Sequence, residues 1–133
     1  MSLVLVDTSV WIEYLRGTGS RAHLFVREQV GAGLATTEPI LMELLAGAAS
    51  GAQTAAAERL MRGQHWLQVE PALDYRAATD IFQAARASGH QPRSLQDCLI
   101  AAIAVRTKTP VAHRDTDYAR IAAVTGLEVL DLR

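Results

Sequence analysis

Cysteine is nearly missing from this chain. Cys98 is the single one, so neither a disulfide framework nor a cysteine-based zinc site can be built from it. Lysine is as scarce: Lys108 is the only lysine among 13 basic residues. Arginine's rigid fork suits phosphate and carboxylate partners, although a GC-rich genome accounts for the same bias. Aromatic residues make up 5% of the 133 positions, too few for a surface that stacks single-stranded bases. Neither sign of charge is in excess, because 13 Lys+Arg against 14 Asp+Glu leave a net charge of −1. That excludes a strongly basic nucleic-acid coat protein. It leaves room for a nucleic-acid substrate whose phosphates meet locally placed arginines or a bound metal ion. Long hydrophobic runs are absent too. The opening apolar stretch is cut by Asp7, unlike a signal peptide, and no run reaches the roughly 18 residues of a membrane span. A soluble cytoplasmic protein is expected.

What the chain does have is core material: half of its residues are hydrophobic, enough for one ordinary domain over residues 1–133. Leu3–Val6 reads as a strand buried on both faces. Short apolar runs at Leu34–Thr36, Trp66–Val69, Thr109–Ala112 and Leu127–Leu130 read as further strands. Helical patterns fill the intervals: Val10–Leu15, Arg21–Val30, a helix from Thr37 to near Gly47, Ala52–Met61, Pro71 to about Ala87, Ser94–Val105 and Thr116–Val124. Thr37 is placed to cap its helix, with Pro39 in the first turn. The segment after Ser94 is apolar on nearly every side, the pattern of a buried helix. Strands alternating with helices predict an α/β sandwich around a parallel sheet.

The informative residues are acids in apolar surroundings. Asp7 ends the first buried strand, and Asp115 follows the Pro110–Ala112 strand by one turn, with Asp117 just beyond. The carboxyl ends of parallel strands are where such sheets bind ligands. Asp97 opens the most apolar helix, and Glu43 leans toward the buried side of its own. If Asp7, Glu43, Asp97 and Asp115 converge, their repulsion weakens the fold unless a cation offsets it. An all-oxygen set suits Mg²⁺ or Mn²⁺. Each acid also has a plainer reading. Asp97 stands three residues after Ser94, a capping-box spacing. Asp7 and Asp115 can be helix N-caps, Glu43 can reach solvent or an arginine, and Asp117 can lie in solvent or behind the metal ligands. Cys98 reads as an inert core thiol, and His23, His65 and His90 as scattered structural or solvated residues.

In order along the chain, Leu5-Val6-Asp7-Thr8-Ser9-Val10-Trp11, Pro39 to Leu45 around Glu43, Asp97-Cys98-Leu99-Ile100-Ala101-Ala102 and His113-Arg114-Asp115-Thr116-Asp117-Tyr118 together resemble the PIN-domain ribonucleases. More narrowly they resemble the VapC-type toxins of toxin–antitoxin modules. That resemblance implies a three-layer α/β/α sandwich with a five-stranded, mainly parallel sheet. It implies Asp7, Glu43, Asp97 and Asp115 as the catalytic acidic quartet, with Asp117 as an accessory metal ligand. It also implies a Mg²⁺- or Mn²⁺-dependent endoribonuclease, a homodimer, a VapB-like antitoxin whose tail covers the cleft, and a larger toxin–antitoxin complex. Thr8 or Ser9 is expected to hydrogen-bond the carboxylates, and Arg93 or Arg114 to hold the scissile strand. Trp11, Tyr14 and Leu15 are candidates for an apolar groove that receives the antitoxin, or for the core. Competing readings are a PIN-type nuclease of RNA processing, a silent α/β binding module, and a phosphatase using Asp7 as nucleophile. A haloacid-dehalogenase-like site wants an acid two residues on, where Ser9 stands. Phosphate-binding glycine motifs are missing.

Overall fold

Short runs of mostly β-branched and aliphatic residues form the strands of the computed structural model, which describes residues 2–133; the His65–Trp66 pair is the exception. These are β1 (Val4–Val6), β2 (Leu34–Thr36), β3 (His65–Trp66), β4 (Val111–His113) and β5 (Val129–Asp131). They lie in the order β3-β2-β1-β4-β5, and every pairing is parallel. Seven helices connect them: α1 (Thr8–Arg16), α2 (Arg21–Gln29), α3 (Glu38–Ala46), α4 (Gly51–Arg62), α5 (Pro71–Ala87), α6 (Leu95–Arg106) and α7 (Asp117–Thr125).

The chain steps outward from β1 through β2 to β3, then returns to place β4 on the other side of β1. Right-handed crossovers put the helices of outward and return steps on opposite faces. Accordingly α1 packs on α2 and α3, and α3 on α4, whereas α5, α6 and α7 pack on one another. The result is the expected three-layer sandwich, with a sheet that is wholly parallel. The reversal of direction opens a crevice between the carboxyl ends of β1 and β4, the usual ligand address of such sheets.

Helix α6 fills the center of one layer. From Asp97 to Ala104 its residues are buried without a break, and Ile100 and Ile103 are fully so. Each such isoleucine contributes about 2 kcal/mol through apolar burial. Trp11 is also fully buried, so the core reading of this residue holds and the groove reading does not.

Several boundaries differ from the pattern-based expectation, each for a local reason. The strand expected at Trp66–Val69 is only His65–Trp66. Leu67 N still donates to the Thr36 carbonyl (2.9 Å). Beyond it, the Gln68 carbonyl accepts from Arg106 Nη2 and Val69 N donates to Glu38 Oε1, both at 2.8 Å, so side chains replace the ladder. The last strand starts at Val129 because Leu127 N donates to Thr125 Oγ1 (3.1 Å) and its side chain turns into the core. Strand β4 starts at Val111, since Thr109 N still donates to the Ala104 carbonyl (2.9 Å) and closes α6. Thr37 occupies the N-cap of α3 without a side-chain capping bond, because Pro39 has no N–H and Ile40 N donates to the Thr37 carbonyl.

Candidate active site

Asp7 sits immediately beyond β1, and its backbone N–H donates to the Ala112 carbonyl of β4 (2.9 Å), so the sheet itself fixes its position. As the N-cap of α1, its Oδ2 accepts from Ser9 N (3.0 Å) and Ser9 Oγ (2.6 Å). The other oxygen, Oδ1, accepts from the Tyr118 hydroxyl (2.7 Å) across 111 residues of sequence. The N-cap reading of Asp7 therefore holds, while its second oxygen is tied to α7. Ser9 Oγ also accepts from Arg114 N (3.1 Å), tying the β1 and β4 ends together.

Glu43 arrives from the middle of α3, half-buried, and its Oε1 accepts from Thr8 Oγ1 (2.7 Å). Burial raises its pKa above the ordinary value, the Thr8 bond opposes that rise, and the charges of Asp7 and Asp115 add to it. Both hydroxyl residues after Asp7 thus hold an acid of the cluster, Thr8 on Glu43 and Ser9 on Asp7.

Asp97 lies in the first turn of α6, 7% exposed. Half of the capping box forms, with Ser94 Oγ accepting from Asp97 N (3.3 Å). The reciprocal bond does not, because Ser94 N donates to Asp117 Oδ2 instead (3.1 Å). The Asp97 carboxylate is left facing the other acids. Burial first, then the charges of Asp7, Asp115, Asp117 and Glu43, push its pKa up to about 8. The charges of all the other acids singled out from sequence thus act on Asp97, which places them close around it.

Asp115 follows β4, held in place as His113 Nδ1 accepts from its backbone N–H (3.1 Å). His113 is buried, stacks on Tyr118 with ring centroids 5.0 Å apart, and burial lowers its pKa. Because Nδ1 is the accepting nitrogen, the proton of the neutral ring belongs on Nε2. Oxygens of Asp97, Asp115 and Asp117 lie within 4.8 Å of one another, a spacing that suits one metal ion. Asp117, however, is already saturated. Its Oδ2 accepts from Arg93 N (2.9 Å) and Ser94 N, and its Oδ1 from Arg120 Nη1 (2.8 Å) and the more distant Arg93 Nε (3.5 Å). It clasps the 88–94 loop to α7.

The expected strand-holding arginines differ in their freedom. Arg114 pairs with Glu13 (3.3 Å), while Arg93 extends over the acids and reaches Asp115 Oδ1 with Nη2 (3.0 Å). Beside Glu43, Ile12, Leu15, Arg16 and Leu44 line a groove of about 340 Å³ between α1, α3 and α4. Leu15 faces it as expected; Tyr14 instead packs against the ring of His23. Cys98 is buried and free, and burial pushes its thiol up to about 11. The hydroxyl of Tyr118 was missed by pattern reasoning. Its only signal is that Tyr118 and Ile121 share the inner face of α7.

Against known proteins, residues 4–124 match the PIN-domain family model. The chain is 44% identical to Ribonuclease VapC11 of Mycobacterium tuberculosis and to VapC ribonuclease Mb1587 of Mycobacterium bovis, covering 98% of this chain and all of each relative. Among solved structures it superposes on a DNA-bound VapBC from Salmonella typhimurium with TM-score 0.80, at 19% identity and full coverage of both chains. VapBC2 of Rickettsia felis, bound to a promoter DNA fragment, gives 0.78 at 11% identity over 98% of this chain and 99% of that one. By descent as well as by architecture, this chain belongs to the PIN-domain family, among the VapC ribonucleases.

Proposed function

We propose that this chain is a Mg²⁺- or Mn²⁺-dependent endoribonuclease, acting over its whole length as one domain and serving as the toxin of a toxin–antitoxin pair that arrests translation. The observation that carries this reading is the pocket around Asp97, a nearly buried carboxylate surrounded by like charges. Such an arrangement opposes folding unless a cation is bound there. The donor set fits a hard dication: the candidate ligands are all carboxylates, with no thiolate or imidazole among them. Asp7, Asp97 and Asp115 would hold the ion, with Glu43 completing the set. Asp117, expected as an accessory ligand, acts through the loop it clasps. When bound, the cation supplies an acidified water and neutralises charge on the phosphate and the leaving oxygen.

The remaining steps belong to the protein. Glu43, its Oε1 anchored by Thr8, would take the proton of the attacking water, and its raised pKa makes it a stronger base near neutral pH. Attack at phosphorus breaks the bond to the 3′ oxygen, which leaves as an alkoxide and takes a proton from solvent to become a 3′-hydroxyl, and the other fragment keeps a 5′-phosphate. The ribose 2′-hydroxyl takes no part. Relatives found in VapBC complexes support a VapB-like antitoxin, and the groove beside Glu43 is positioned for its tail. A homodimer and a larger toxin–antitoxin assembly complete this reading, and a cytoplasmic location follows from it. Among the described residues no helix is long and apolar enough to cross a membrane.

The test is cleavage of total RNA by the purified chain with Mn²⁺ and then with EDTA, beside Asp97→Asn. Cleavage that requires the ion, loses more than about a hundredfold in the variant and leaves 5′-phosphate ends supports the proposal. Equal behavior of the two proteins defeats it.

A further inference from the structure

Arg93 is placed unlike any other arginine near the acids. Its backbone is pinned at the rim, because its own N–H and that of Ser94 both donate to Asp117 Oδ2. Its side chain is 70% exposed and spans Asp115 Oδ1 at 3.0 Å and Asp117 Oδ1 at 3.5 Å. Neighboring arginines are committed elsewhere: Arg120 holds Asp117 at 2.8 Å, and Arg114 is on Glu13. If the Arg93 head moves away, Asp117 keeps a cation through Arg120. Asp115 keeps the backbone N–H of Asp117 on the same Oδ1 (2.9 Å). Nothing buried is stranded by that movement. An exposed pair of this kind contributes only about 0.2–1 kcal/mol, so the guanidinium is cheaply released from a firmly held backbone.

Resting on the nuclease reading, we propose that Arg93 is the residue that receives an RNA phosphate at this site, parked on Asp115 until a divalent cation takes over that carboxylate. A pocket of four acids repels a polyanion, so a substrate needs positive charge at its edge. The guanidinium fork matches two phosphate oxygens as well as it matches a carboxylate. Cation and arginine thus compete for Asp115, and when the cation takes it the guanidinium becomes available to RNA. Metal loading and substrate capture are coupled through one side chain.

The two ligands respond in opposite directions when Arg93 is replaced, which a merely structural residue would not produce. Calorimetric titration of the full chain with Ca²⁺, without RNA, is expected to show Arg93→Gln binding the ion about two- to fivefold more tightly. Fluorescence anisotropy with a short single-stranded RNA of mixed sequence, in Ca²⁺, is expected to show about tenfold weaker binding. The slope of log affinity against log salt should shrink by about 0.7, the value of one lost phosphate contact. Arg93→Lys, which keeps the charge without the fork, should recover the salt slope but only part of the affinity. Unchanged or weaker Ca²⁺ binding in Arg93→Gln, or an unchanged salt slope, overturns the assignment of Arg93 while wild-type cleavage in Mn²⁺ still upholds the nuclease. A wild-type chain that binds no divalent cation removes both.

Discussion

At the scale of single residues, the energetics of the pocket center on Asp97. In the folded, metal-free chain its carboxyl titrates near 8 because burial, and then four neighboring carboxylates, disfavor its charge. In the unfolded chain it titrates near an ordinary ~3.9. Between those values the folded state keeps a proton that the unfolded state has released, so raising the pH favors unfolding by up to about 1.4 kcal/mol per pH unit. In EDTA the protein should therefore melt lower at about pH 8 than at about pH 5. Asp97→Asn should flatten that dependence, as calorimetric scans across the range would show. Thr8 offers a second readout. Thr8→Val removes the only side-chain hydroxyl bonded to Glu43, leaving burial less opposed. Cleavage is expected to fall about 10–100-fold, with the acid limb of the pH–rate profile moving to higher pH. A limb that stays in place would show that Glu43 is not the base. Asp7 and Asp115 were legible from sequence because a strand end is recognisable in one dimension. Asp97 was ambiguous because capping and pocket-lining share a spacing, and only the diversion of Ser94 N to Asp117 separates them. The Tyr118–Asp7 bond was invisible, since no local pattern links residues 111 positions apart.

Among the elements, α5 and α6 are joined by an ion pair between the buried Asp74 and the more exposed Arg106. Asp74, 1% exposed, accepts from Arg106 Nε at 2.8 Å and Nη2 at 2.9 Å, and from Glu70 N at 2.7 Å. Burial by itself would raise the Asp74 pKa; the guanidinium and the Glu70 N–H outweigh it and hold the carboxyl below its usual value. That contribution is present at neutral pH and fades as the pH falls through the carboxylate range. Arg106→Met strands a buried charge and should cost about 3–5 kcal/mol in urea unfolding. Asp74→Leu together with Arg106→Met should recover most of it; failure to recover would mean that the Gln68 carbonyl, which Arg106 also binds, matters more than the pair. Element existence was readable from alternating apolar runs, whereas β3 ended early because Arg106 and Glu38, distant in sequence, took its backbone partners.

For the molecule as a whole, the wholly parallel sheet and its reversal beside β1 dictate where the acids meet. The alternation of strands and helices made that architecture legible. Layer membership followed from crossover handedness rather than from any residue. A cation that binds only the folded state adds about 2.7 kcal/mol when present at a hundred times its dissociation constant. Mn²⁺ should raise the melting temperature of the wild type and leave that of Asp97→Asn nearly unmoved; equal shifts would place the ion elsewhere. The closure of the pocket by Tyr118 on Asp7 carries one more consequence. Residues 115–118 are made long after residue 7, so a nascent chain lacks both Asp115 and the hydroxyl that steadies Asp7 until synthesis has passed them.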